Sequence, residues 1–320
     1  MKKVFLIFII SFLIILTGCS HNPSTVESDT NKKAASVSDF QYETNEEGGI
    51  TIVNYKGAEQ NVIIPSEIED KPVTQIGFPA FYHIQTITSV EIPDSVTSIS
   101  DSAFEGCISL ARVSLSQGLK SIGQRAFMQC TKLSAIALPD TLTEIGRQAF
   151  GYCKRLKYIK IPDNITTIDN ELFRDSGIET INFGEGIENI GTHAFTSTNI
   201  KTVVLPKSVR EISESAFLNC KKLESVTLNE GLTTIKNQAF AGALNLAEIV
   251  IPTSVKEINE TAFNNCNALL AVKFEGDAPE NYRLEEEQRE TYKSYTLFPD
   301  YTVYYHTRSN GFTSPQWCGY

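Results

Sequence analysis

Apolar positions recur along most of this chain with a fixed long period. Phenylalanine stands at 81, 104, 127, 150, 173, 195, 217, 240 and 263, at spacings of 22 or 23 residues. Five residues before each is an isoleucine, from Ile76 to Ile258, and the residue immediately before each Phe is Ala, except Leu172. A regular period of 20 to 50 residues is the signature of a solenoid, in which a unit cannot bury its apolar face alone and stacks on its neighbours. In one unit Ile99, Ala103, Phe104, Cys107, Leu110, Val113, Leu115 and Leu119 are the inward set. Val113 and Leu115 are two apart, so 110–115 reads as a short strand that points Arg112 and Ser114 outward. Proline follows these strands at 65, 93, 139, 162, 206 and 252, where a missing N–H cannot serve a continuing ladder. Capping residues before Ala–Phe, as in Ser100-Asp101-Ser102-Ala103-Phe104, predict one short helical or 3₁₀ turn per repeat. Nine coils at about 4.8 Å each make a body about 40 Å long with one continuous, parallel strand-lined face.

The flanks read differently. Phe40 and Tyr42 alternate with polar residues, 46–49 is a turn, and Ile50, Ile52, Val62 and Ile64 supply strands, so 40–75 is expected to cap the first coil. Residues 76–274 are the solenoid and 275–320 a C-terminal β closing module, in which Glu285 to Glu290 reads as a solvated charge run. At the start, Met1-Lys2-Lys3 precedes an apolar stretch from Val4 to Leu16, too short for a bilayer core of about 30 Å and suited to a signal peptide over 1–18. Residues 19–39 are polar and rich in Ser, Thr and Asn, a flexible tether spanning roughly 25 Å.

Two resemblances follow from these residues. Leu16-Thr17-Gly18-Cys19 resembles the lipobox of bacterial lipoproteins. That resemblance implies that Cys19 becomes the first residue of the mature chain and carries a diacylglycerol thioether, with acyl chains such as palmitate. The chain would then sit on the extracytoplasmic face of the cell membrane, anchored by the lipid on Cys19. The pattern Leu110-x-x-Val113-x-Leu115-x-x-x-Leu119-x-x-Ile122-x-x-x-Ala126-Phe127-x-x-Cys130 is similar to the BspA-like leucine-rich repeats of microbial surface proteins. It lacks the Asn ladder that follows the strand in commoner leucine-rich repeats. The resemblance implies a leucine-rich-repeat solenoid, mostly β, and a role in adhesion or in binding extracellular host or matrix proteins.

Composition narrows the remaining chemistry. With 41% hydrophobic and 21% charged residues the chain buries a sizeable core, and a net charge of -10 argues against a nucleic-acid partner. The four histidines, His21, His83, His193 and His306, have no metal-ligand spacing, and no nucleophile elbow, phosphate-binding loop or dinucleotide fingerprint occurs. Acidic residues such as Asp94, Asp140 and Asp163 sit at strand exits as turn formers. Neither a cofactor nor an enzymatic activity is expected. Cys107, Cys130, Cys153, Cys220 and Cys266 each follow a repeat Phe by three, where other repeats carry Ile84, Ser176, Thr198 or Ala243, so they read as buried thiols of modest bulk. Cys318 has no periodic partner.

The outward strand positions form two columns, Ser89 to Ala271 and Glu91 to Lys273, most of them small. Arg112, Tyr158 and Lys160 have the side chains of interface anchors, and Glu91 and Glu248 complete the expected partner-binding set. The first reading is therefore a membrane-anchored surface protein that binds a protein or glycan through its repeats. Its alternatives are an enzyme or enzyme accessory acting on wall or matrix polymers through 275–320, and a spacer without a specific ligand.

Overall fold

A computed structural model of the chain describes residues 35–277 and the backbone of 302–305. They form a parallel β-solenoid of about ten turns with almost no helix. Nearly every turn contributes to two strand columns. The first runs Asn61–Ile63, Ser89–Glu91, Arg112–Ser114, Tyr158–Lys160, Thr180–Asn182, Thr202–Val204, Ser225–Thr227, Glu248–Ile251 and Ala271–Phe274. The second runs from Lys71–Ile76 through two-residue strands such as Ser98–Ile99 and Ser121–Ile122 to Glu257–Ile258. Register passes from coil to coil without slip: Val90 pairs with Val113, Ile159 with Ile181, and Ile76 with Ile99, which pairs in turn with Ile122. The isoleucine five residues before each Phe is thus the inward member of the second column, and those from Ile76 to Ile258 are all buried.

The expected continuous strand-lined face is interrupted. The first column falls into four separate ladders, and between Arg112–Ser114 and Tyr158–Lys160 only a single bridge, Arg112 to Ala135, remains. Ala135 and Ala137 occupy the outward positions there and lack the β-branched bulk that favours extended pairing. The second column opens at the same level, between Glu144–Ile145 and Thr167–Ile168. The phenylalanine stack is also widest there. Ring centroids are 5.7 Å apart for Phe127–Phe150 and 5.9 Å for Phe150–Phe173, against 4.8 Å for Phe81–Phe104.

All nine repeat phenylalanines are buried and stacked in one column. The stack continues into the N-terminal hairpin through Tyr55, 5.4 Å from Phe81, and Phe40, 5.2 Å from Tyr55. That hairpin pairs Phe40–Thr44 antiparallel with Ile50–Tyr55, and the latter lies parallel to Lys71–Ile76, so the first edge of the second column is paired rather than open. At the other end Thr302–Tyr305 adds a parallel strand to Ala271–Phe274.

Around each Phe the structure has linked β-turns where a helical or 3₁₀ turn was expected. Among the described residues the one 3₁₀ segment is Val37–Asp39, outside the repeats. The reason is a pair of left-handed residues that brackets most of the phenylalanines. Two before lie Ser102, Arg125, Gln148, Glu171, His193, Ser215 and Gln238, and two after lie His83, Gly106, Gln129, Tyr152, Asp175, Ser197, Asn219, Gly242 and Asn265, all at φ between 54° and 73°. A non-glycine residue there costs roughly 1–2 kcal/mol and cannot propagate a right-handed helix. The cost is offset by a ladder between coils. The N–H groups of Ser102, Phe104 and Gly106 donate to the carbonyls of Gln124, Ala126 and Met128 one coil on, at 2.8, 2.8 and 2.9 Å. A helix would have turned those donors along its own axis and left the coils unconnected at this edge.

Candidate partner-binding face

The strands of the first column alternate inward aliphatic residues with outward polar ones, and this places the expected site residues. Arg112, Tyr158 and Lys160 are exposed, Tyr158 by 53%. Arg112 bridges to Ala135, and Tyr158 is the next outward residue of that column. Two coil spacings, about 10 Å, therefore separate the Arg112 and Tyr158 backbones. Lys160 is two residues along the strand from Tyr158, on the same face. The structure brings these three together over a floor of Ser114, Ala135 and Ala137. It does not bring Glu91 or Glu248 to them. Glu91 is half-buried, three coils before Lys160 in its column, and Glu248 is four coils beyond Tyr158. The Glu248 carboxylate is already held by Lys273, at 2.7 Å across Glu248–Ile251 and Ala271–Phe274.

Charges on the rim of this face are mostly paired between coils. Lys157 and Lys201 flank Glu179 at 3.1 and 3.6 Å, and the Lys157 ammonium, followed by Lys201, holds the Glu179 carboxyl below its ordinary value. Lys154 lies 3.6 Å from Asp175 and over the Tyr152 ring at 5.4 Å. Lys160 is 3.9 Å from Asp140, with both side chains well exposed, a contact worth little. Two exposed cations beside the face, Lys132 and Arg155, were missed by a reading confined to the strand columns. The signal that finds them is a count of charge along the chain. Residues 110–160 hold nine Lys and Arg against two Asp and Glu, within a protein of net charge -10.

On the turn side, a polar cluster joins coils at the level where both strand columns open. Arg125 Nε donates to Gln148 Oε1 at 2.9 Å, and Gln148 Nε2 donates to Glu171 Oε2 at 2.7 Å. Glu171 also accepts from Arg174 Nη1 at 2.9 Å and from Arg147 Nη2. Burial alone raises the Glu171 pKa, but the hydrogen bonds from Arg147 and Arg174 outweigh it and hold the carboxyl below its ordinary value.

The five repeat cysteines are buried, and each Sγ donates to the carbonyl of a Phe in the preceding coil, at 3.0 Å for Cys107 to Phe81 and 3.2 Å for Cys266 to Phe240. Burial pushes the thiols of Cys107, Cys153 and Cys220 up to about 12 and that of Cys266 to about 11, so they stay protonated at neutral pH and are poor nucleophiles. Among the described residues no group of three His, Cys, Asp or Glu is placed to hold a metal ion, and no helix is long and apolar enough to cross a membrane. Cys19, the tether to Ala34, Glu285 to Glu290, His306 and Cys318 lie outside the described residues.

A family model described as BspA type Leucine rich repeat region matches residues 74–201 and 188–280. Among solved structures, the T. pallidum Leucine Rich Repeat protein is 29% identical over 67% of this chain and 91% of that one, with a TM-score of 0.52. A leucine rich cell surface protein from Faecalibacterium prausnitzii is 22% identical over 87% of this chain and 96% of that one, with a TM-score of 0.48. The pneumococcal vaccine antigen PcpA is 19% identical over 89% and 93%, with a TM-score of 0.46. No curated protein matches this sequence. The family model covers well over half of the residues, over the same stretch as the coils described above, and the chain belongs to the BspA-type leucine-rich-repeat family.

Proposed function

We propose that this protein is a lipid-anchored cell-surface scaffold that binds an extracellular protein partner, in adhesion or surface interaction, through the outward side of its first strand column. Cys19 is the lipidated residue and the polar segment from there to Ala34 is the tether, since Ala35 is already hydrogen-bonded to Ile63 and Val37–Asp39 forms a 3₁₀ turn. The observation that carries the reading is Tyr158. It is a large aromatic side chain left 53% exposed between Arg112 and Lys160, on a rigid face whose other members are mostly small. Arg and Tyr anchors on a flat, rigid surface are typical of protein interfaces, and a backbone already held by a repeat adds little ordering cost on binding. The membership of a repeat-scaffold family supports the same reading.

The test is affinity capture from matrix, serum and wall extracts, run beside the Tyr158→Ala/Lys160→Ala variant. The expected result is a protein captured by the native chain and lost by the variant. Equal capture by both would move the site off this face. Capture by neither would favour a spacer without a specific ligand.

A further inference from the structure

Ion pairs tie neighbouring coils of this solenoid together. Lys154 faces Asp175, Lys157 and Lys201 share Glu179, Lys236 faces Glu211, and Lys273 faces Glu248. Like charges stacked across neighbouring strands or coils destabilise, so such pairing is what folding alone favours.

Like charges recur at equivalent places in successive coils at Asp140, Asp163 and Glu185, at the strand exits, and again at the cations Lys132 and Arg155. The two cations stand five residues after Phe127 and Phe150, and both are exposed. Neither they nor Arg112 has a carboxylate within 4.0 Å among the described residues. The next repeat is one residue shorter, and its Gly177 donates to Cys153 O at 3.0 Å, so close that a Cβ would meet Lys154 O at 2.2 Å. The loop passing over this end of the pair is thus a glycine, which adds neither bulk nor charge above it.

The imbalance extends to the whole band. Residues 110–160 hold nine basic and two acidic residues, between 35–109, with two basic and twelve acidic, and 161–277, with nine basic and sixteen acidic. Arg147, Lys154 and Lys157 are paired with Glu171, Asp175 and Glu179 of the following coil, so the unpaired charge nearest the face is that of Arg112, Lys132 and Arg155. At physiological ionic strength screening sets in over about 8 Å, so a partner approaching the band meets its local charge rather than the protein's total. Arg112 stands in the column of Ala135 and Tyr158, next to the floor of Ser114, Ala135 and Ala137, and the exposed Lys132 and Arg155 precede Ala135 and Tyr158 by three residues in the loops that enter these positions. This is a shallow face with cationic edges and one aromatic anchor. Guanidinium groups pair bidentately with carboxylates, and such a face suits the side of another protein better than a small ligand, which needs concavity.

We propose that the partner docks an acidic protein surface on this band, with Arg112, Lys132 and Arg155 receiving its carboxylates. This rests on the protein-binding reading above and names the chemistry of the partner.

The test uses the full chain in detergent solution with poly-L-glutamate as probe and heparin as comparison. Arg112→Glu/Lys132→Glu/Arg155→Glu is set against Lys207→Glu/Lys221→Glu/Lys256→Glu, three exposed cations elsewhere with the same change in net charge. The proposal expects salt-sensitive binding of poly-L-glutamate by the native chain, weakened about tenfold or more by the first variant and less than about twofold by the second. Lys132→Glu alone sets opposite charges in successive coils beside Arg155, so it should unfold at an equal or higher temperature while binding less, which separates lost binding from lost folding. No binding by the native chain, or equal losses in the two triple variants, would overturn the proposal. So would tighter binding of heparin that the first variant abolishes, since the band would then belong to a sulfated glycan. Each of these outcomes leaves the capture experiment with Tyr158→Ala/Lys160→Ala to stand or fall separately.

Discussion

Phe150 is fully buried between Phe127 and Phe173, at the level where the ring stack is most widely spaced. Removing its ring takes away apolar contacts on both sides and leaves a void that rigid neighbouring coils close only in part. Phe150→Ala is therefore expected to cost about 3–5 kcal/mol, read from the urea midpoint, and a change near zero would remove the ring from the core. The burial of this residue was legible from period alone, as was the burial of the cysteines. Their hydrogen bonds were not. The Sγ of Cys107 reaches Phe81 O, 26 residues back, a contact set by the pitch of the coils that no local pattern encodes. Among the surface residues, Arg112, Tyr158 and Lys160 were legible because strand alternation turned them outward, whereas Lys132 and Arg155 lie in the loop before the strand, where alternation says nothing.

At the scale of the element, the turn around each Phe is where sequence reasoning and structure part. Ser, Asp and Asn before an Ala–Phe pair suit a helix N-terminus, but the same residue types also tolerate the left-handed region, and neighbouring coils decide between the two. A coil offering carbonyls at the right height favours the linked turns. Glu171 holds this edge together at its most open level, bonded to Gln148, Arg147 and Arg174. Its pKa is lowered in the folded state, so its contribution is complete above the ordinary carboxylate value of 4.5 and is lost as pH falls through the lower folded value. Glu171→Ala is expected to destabilise by about 1–2 kcal/mol at neutral pH, a figure kept small because Arg147 and Arg174 are 47% and 37% exposed. Urea unfolding near about pH 3 should show a narrower gap between variant and native chain than at pH 7. A gap independent of pH would mean that the carboxylate charge is not what stabilises this edge.

For the whole molecule, a repeat scaffold gains stability from nearest-neighbour stacking and presents many equivalent surface positions, so function depends on the places where equivalence is broken. Here these are the exposed Tyr158, the stacked cations Lys132 and Arg155, and the level at which both strand columns open. The proposed anchoring makes a prediction at the same scale. Cys19→Ser is expected to release the protein from membranes into the medium or periplasm, checked by fractionation and immunoblot, because one residue would carry the acyl chains that hold the whole chain. Full retention of the variant on membranes would remove lipidation from the account.

The amino-acid order alone determined the solenoid, its period, the phenylalanine and isoleucine columns and the outward strand residues, because each depends on which side of a short segment faces the core, and a periodic core repeats that choice in every unit. The tertiary structure decided what depends on two coils at once: the left-handed ladder in place of helical turns, the breaks in the strand columns at Ala135 and Ala137, the extension of the ring stack through Tyr55 and Phe40, and which cations find a carboxylate one coil away. Most of these are contacts between residues about 23 positions apart. Their distances are fixed by coil pitch and loop length rather than by either segment on its own.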